Sequence, residues 1–132
     1  MYRSARYDGE PGSVGDARRL ATEFLDRLAE DFHVLVPERF GYDVLLVVTE
    51  LLTNAERCAI GPSVLELEAG VGSVVVTVWD GSTALPVVYA PDPVRVGGHG
   101  MEIVSGVCAQ VTTERMPEGK RIRAVLLFPD GG

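Results

Sequence analysis

Apolar positions along the chain follow two periods, and the change from one to the other marks its elements. In residues 14–29, apolar side chains recur at Ala17, Leu20, Ala21, Phe24, Leu25 and Leu28. That spacing predicts an amphipathic helix, with Arg18, Arg19, Glu23, Asp26, Arg27 and Glu30 on its wet face. Ser13 stands where an N-cap belongs, with Asp16 three residues on as its capping-box-like partner. A second helix is predicted over residues 44–59, beginning as early as Pro37 or Glu38 and ended by Gly61 and Pro62. It is apolar nearly all round, through Val44, Val48, Leu51, Leu52, Ala55 and Ala59. A helix of that kind packs between other layers.

Strand patterns follow. Residues 63–69 alternate Val64, Glu66 and Glu68 against Leu65, Leu67 and Ala69, which gives one wet face and one buried face. Gly70, Val71 and Gly72 form a hairpin turn. Residues 73–80 are rich in valine, as a central strand would be. Residues 2–8 read as a short edge strand, 101–108 as a short helix, and 110–116 and 121–128 as a strand pair across Pro117, Glu118 and Gly119. Residues 81–96 form a long irregular connection with three prolines, of a length that compact domains keep for lids and binding loops. The order β, α, α, β, β, loop, α, β, β predicts an α/β two-layer sandwich. Its helices lie on one face of a mixed, mostly antiparallel sheet, in a single domain spanning 1–132.

Composition narrows the function. The chain has 132 residues, 46% apolar and 23% charged, as a folded globular domain has. The formal net charge of −7 and the lack of a basic stripe argue against direct nucleic-acid binding. No apolar run is long enough for a membrane span, and residues 1–10 lack the apolar core of a signal peptide, so a cytoplasmic protein is expected. Cys58 and Cys108 have no metal-ligand spacing and read as reduced, buried thiols in helical patterns.

Three polar features interrupt the apolar pattern. Glu50 and Asn54 are four residues apart on the second helix and share one face. They are either a surface stripe or one wall of a site, with a base and a metal ligand on consecutive turns. Asp80 ends an otherwise apolar strand. It either opens a turn with Gly81 or accepts a hydrogen bond from a ligand's amino group. Gly97, Gly98, His99 and Gly100 precede a helix, where freed N–H groups and the helix dipole suit an anion. Neither a Walker sequence nor a dinucleotide fingerprint surrounds them.

Together these segments resemble a small bacterial anti-sigma regulatory factor, a serine-kinase-type member of the GHKL ATPase superfamily. ELLTNAERCA resembles its N-box, VWDGS its first glycine box, GGHGM its second, and GKRIRAVLLF its closing strand pair. The likeness spans most of the chain, from about residue 13 to residue 128. It implies a histidine-kinase-like ATP-binding domain of Bergerat type that uses ATP and Mg²⁺. By matching position, Asn54 would hold Mg²⁺ and Glu50 would be the general base. Asp80 would accept from the adenine amino group. Gly98, His99, Gly100 and Met101 would form the stretch that wraps the phosphates, and Arg57 would reach a phosphate. The implied partners are an anti-anti-sigma protein, phosphorylated on Ser or Thr, and a sigma factor. A homodimer is implied as well, through the first helix or a sheet edge. Cys58 stands where the family usually has His, and His99 where Arg is common. The first glycine box is reduced, and Arg121 replaces a Thr, which predicts a large cation near the base pocket. The second reading is a catalytically weak module of the same fold that acts by partner capture.

Overall fold

The computed structural model describes residues 1–58, 61–81 and 100–129. In chain order they form β1 (Tyr2–Tyr7), α1 (Ser13–Asp31), α2 (Glu38–Cys58), β2 (Ser63–Gly70), β3 (Ser73–Asp80), α3 (Gly100–Val107), β4 (Gln110–Met116) and β5 (Gly119–Leu127). Every predicted element is present. The expected lid falls outside the described residues, apart from Gly81.

The five strands form one sheet in the order β1-β2-β3-β5-β4. Each neighbouring pair is antiparallel, so the sheet is not mixed as its sequence suggested. The reason lies in the crossover through α3. It brings β4 back in the direction of β3, and β5 then inserts between the two, so no parallel neighbours remain. The β2–β3 and β4–β5 hairpins each close over two residues, with Gly70 opposite Ser73 and Met116 opposite Gly119.

Leu65, Leu67, Val74, Val76, Val78, Ile122, Ala124 and Leu126 are all buried and occupy alternate positions on β2, β3 and β5. Cross-strand register puts them on one face. Across that face runs α2, which packs on β2, β3 and β5, while α1 sits towards β1 and β2 and α3 towards β4. From α2, Val44, Val47, Val48, Leu51, Leu52 and Ala55 enter the same core. Each fully buried side chain of this size stabilises by roughly 1.5–3 kcal/mol. This packing fixes which way the remaining faces of α2 point.

The start of α1 departs from expectation. Gly12, not Ser13, holds the N-cap position, and its carbonyl accepts from the Asp16 N–H at 2.9 Å. Ser13 is already helical, and its hydroxyl donates back to the Glu10 carbonyl at 2.8 Å. Asp16 turns to Arg19 instead of closing a capping box. In α2, Pro37 stands just before the first helical residue, and its carbonyl accepts from the Gly41 N–H at 3.0 Å.

Candidate functional site

α2 carries Glu50 and Asn54 one turn apart, and both side chains are half-buried. The core-facing positions Val47, Leu51 and Ala55 are essentially closed to solvent, so the polar pair occupies the edge of the packed face. Its neighbour is α3, which packs along α2. The Asn54 amide nitrogen lies 3.9 Å from the Met101 sulfur, a weak contact between consecutive parts of the site. Met101 itself is buried, and it anchors the first turn of α3.

The first residue of α3 explains a glycine. A Cβ on Gly100 would lie 2.6 Å from Glu50 Oε2. A side chain there would push the carboxylate from the position it holds beside the helix start. Glu50 and Gly100, and Asn54 and Met101, are therefore neighbours where α3 starts beside α2. Arg57 is on the last turn of α2, exposed to solvent. Gly98 and His99 lie outside the described residues.

Asp80 is placed differently from a simple turn opener. It is the last residue of β3, only 7% exposed, and shares the helix-facing side with Val78 and Val76. Directly opposite on β5 is Lys120. Its ammonium sits 3.1 Å from Oδ2 and 3.3 Å from Oδ1, and both side chains are shut off from solvent. A buried pair of this kind holds together because removing either member strands the other charge. Gly119 makes the approach feasible. Its φ is +153°, and a Cβ there would fall 1.9 Å from the Asp80 carbonyl oxygen.

Arg121 does not lie beside Asp80, contrary to the expectation of its large cation there. It is one residue along β5 from Lys120, so its side chain leaves by the opposite face. There its guanidinium lies 5.0 Å from the centre of the Trp79 ring and 2.5 Å from Glu114. The cation beside Asp80 is Lys120. Alternation in residues 120–126 carried that signal, since Lys120 falls in phase with the buried Ile122, Ala124 and Leu126.

A cavity of about 540 Å³ opens at this end of the sheet, with Pro62, Trp79, Asp80, Met116 and Lys120 among its walls. Neither Glu50 nor Asn54 lines it. Among the described residues, no group of three or more His, Cys, Asp or Glu could hold a metal. An ion at Asn54 would depend on phosphate oxygens and water for its other ligands, which is how Mg²⁺ commonly sits in nucleotide sites.

Cys108 is a free thiol just beyond α3, half-buried, and the side chain of Cys58 lies outside the described residues. Burial, with Asp43 as the lesser cause, pushes the Cys108 thiol up to about 11. No described helix is long and apolar enough to cross a membrane. Comparison with known proteins finds no matching family and no curated protein of similar sequence.

Proposed function

We propose that the chain is an ATP-binding regulator of the anti-sigma type, built on a Bergerat-like GHKL domain. It phosphorylates a Ser or Thr of an anti-anti-sigma protein, and it sequesters a sigma factor when that antagonist is phosphorylated. The observation that carries this reading is the close approach of Gly100 to Glu50, one turn from Asn54. A carboxylate, a carboxamide and a glycine-led helix start on one spot are the parts phosphoryl transfer needs.

In this reading, Asn54 would hold Mg²⁺ together with the phosphates of ATP. Bound ATP supplies the phosphoryl group, and the metal neutralises the charge that develops on it. Glu50 would orient the attacking hydroxyl and take its proton, as a half-buried carboxylate at the helix edge can. Backbone N–H groups at the start of α3 face the phosphates. Arg57, exposed at the end of α2, adds a positive charge at the rim. The net charge of −7 fits a protein partner better than nucleic acid.

The test is transfer of labelled phosphate from ATP to a candidate antagonist. Glu50→Ala should lower transfer by about 100-fold or more, the scale of a general base. Equal transfer by the variant would overturn the role of Glu50.

One observation favours the second reading, partner capture without turnover. The Lys120 ammonium already pairs with Asp80, the residue expected to accept from adenine. Calorimetry separates the two. Heat of binding with Mg-ATP that Asn54→Ala abolishes supports the nucleotide site, and no binding at millimolar ATP supports the capture module.

A further inference from the structure

α1 and α2 pack side by side in opposite directions. Arg18, near the start of α1, reaches Thr49 far along α2, while Ala29, near the end of α1, shares a hollow with Glu38 at the start of α2. Between the helices runs a groove made of two hollows, of about 350 and 390 Å³, that have Thr22 and Leu45 as common walls. It follows α1 from Gly15 to Ala29, roughly 21 Å along the helix axis. Leu25, Val36 and Leu45 give the larger hollow apolar walls. Apolar surface is exposed at the same end. Tyr42, which lines that hollow, is 65% exposed. Phe32 and Leu35, in the connection that joins the two helices there, are 56% and 70% exposed. Single exposed apolar side chains are ordinary, but three at one end of a groove make a patch of the kind that meets a partner.

Charge along the groove is one-sided. Arg18 and Arg19 line it, but Arg18 donates to the Thr49 hydroxyl at 2.8 Å and Arg19 is paired with Asp16. The other charged lining residues are Glu23, Asp26 and Glu38. All three are exposed, and among the described residues none has an ion pair or a side-chain hydrogen bond. The charges left without a partner are therefore acids, and what complements them is a cation.

The walls also decide the backbone of the occupant. Two helices spend their N–H and C=O groups on their own turns, so an extended segment laid between them would find no backbone partners. A helix brings its own hydrogen bonds and packs a ridge of side chains into the groove. We propose that the α1–α2 groove is a docking site for an amphipathic helix of a partner protein. The docked helix is about four turns long, with an apolar stripe over Tyr42 and Leu45 and Lys or Arg against Glu23, Asp26 and Glu38. Glu50 and Asn54 line neither hollow, so the assignment holds whether or not the chain binds nucleotide.

The probe is a fluorescein-labelled helical peptide of about 15 residues, with leucines on one stripe and lysines beside them, titrated with the full chain by anisotropy. It should bind, and exchanging its lysines for glutamates should weaken binding by about tenfold or more. Tyr42→Ala should weaken the lysine peptide by about tenfold, as loss of an aromatic anchor does. Asp26→Lys should weaken it by about fivefold or more and tighten the glutamate peptide. Glu68→Lys makes the same change in net charge on the sheet face turned away from the helices, and should shift affinity by less than about twofold. Tyr42, Asp26 and Glu68 are all exposed, so the melting temperature should hold in each variant. The proposal is overturned if the lysine peptide does not bind, if both peptides bind alike, or if Tyr42→Ala changes nothing. It is overturned as well if Asp26→Lys and Glu68→Lys weaken binding equally. Self-association of the chain, or binding to vesicles of anionic phospholipid, that Tyr42→Ala abolishes would give the groove to a second copy or to a membrane, and the proposal would fall.

Discussion

Gly100 is where a single residue most directly constrains the candidate site. The atom its alanine variant would add meets Glu50 Oε2 at 2.6 Å, and that oxygen is the far end of a flexible side chain. The carboxylate can yield, so Gly100→Ala should cost little stability, about 1 kcal/mol or less. If Glu50 is the general base proposed above, the substitution should cost activity, because the base is then displaced. Phosphotransfer by Gly100→Ala should fall about 10- to 100-fold with the melting temperature nearly unchanged. Cys108 makes a second prediction at this scale. With its thiol pushed up from 9.0 to about 11, it holds roughly 100-fold less thiolate near neutral pH than an ordinary cysteine. Alkylation by iodoacetamide, followed by peptide mass, should be correspondingly slow at pH 7 and should rise steeply above pH 9. Glu50 and Asn54 were legible in the sequence because an i, i+4 polar pair is conspicuous on a helix apolar elsewhere. Gly100 was legible as part of a glycine cluster, but its purpose was not. The cluster spoke of phosphate, whereas the close contact at position 100 is with a side chain fifty residues away.

At the scale of elements, β3 and β5 meet at the Asp80–Lys120 pair. Lys120→Met removes a charge that Asp80 relies on, with both side chains away from water. Stability should drop by about 3–5 kcal/mol, read from the midpoint of urea unfolding. Asp80→Leu combined with Lys120→Met should recover most of that loss, because no charge is then left stranded. If the single and double variants unfold alike, the pair does not hold the strands. The strands themselves were legible, and their bounds fell within two residues of expectation. Two features were not. The sheet proved antiparallel throughout because β5, not β4, pairs with β3, a choice between the two strands of one hairpin that is invisible in apolar periodicity. Arg121 was matched to a pocket residue by its place in a motif. Strand alternation, a stronger physical rule, sends it to the opposite face and puts Lys120 beside Asp80. The capping box failed for a related reason. Gly12 takes the N-cap position, and Asp16 finds a nearer partner in Arg19.

For the whole molecule, the two readings of function differ in how stability should depend on nucleotide. The polar wall of α2 borders the same core that α2 shares with β2, β3 and β5, so a ligand gripping Asn54 also braces the main helix against the sheet. Any ligand that binds only the folded chain stabilises it by mass action, about 2.7 kcal/mol at one hundred times its dissociation constant. In a domain of this size that raises the melting temperature on the order of 10 °C. Mg-ATP should therefore shift thermal unfolding upward, ATP with chelator should shift it less, and Asn54→Ala should remove the difference between them. Lys120 sharpens the expectation. If adenine must compete with its ammonium for Asp80, Lys120→Met should unfold at lower temperature without ligand yet show a larger rise with Mg-ATP. A melting temperature that ignores Mg-ATP in both proteins would mean that the chain binds no nucleotide there, with or without the buried ion pair. The fold would then act on its partners through its surfaces alone.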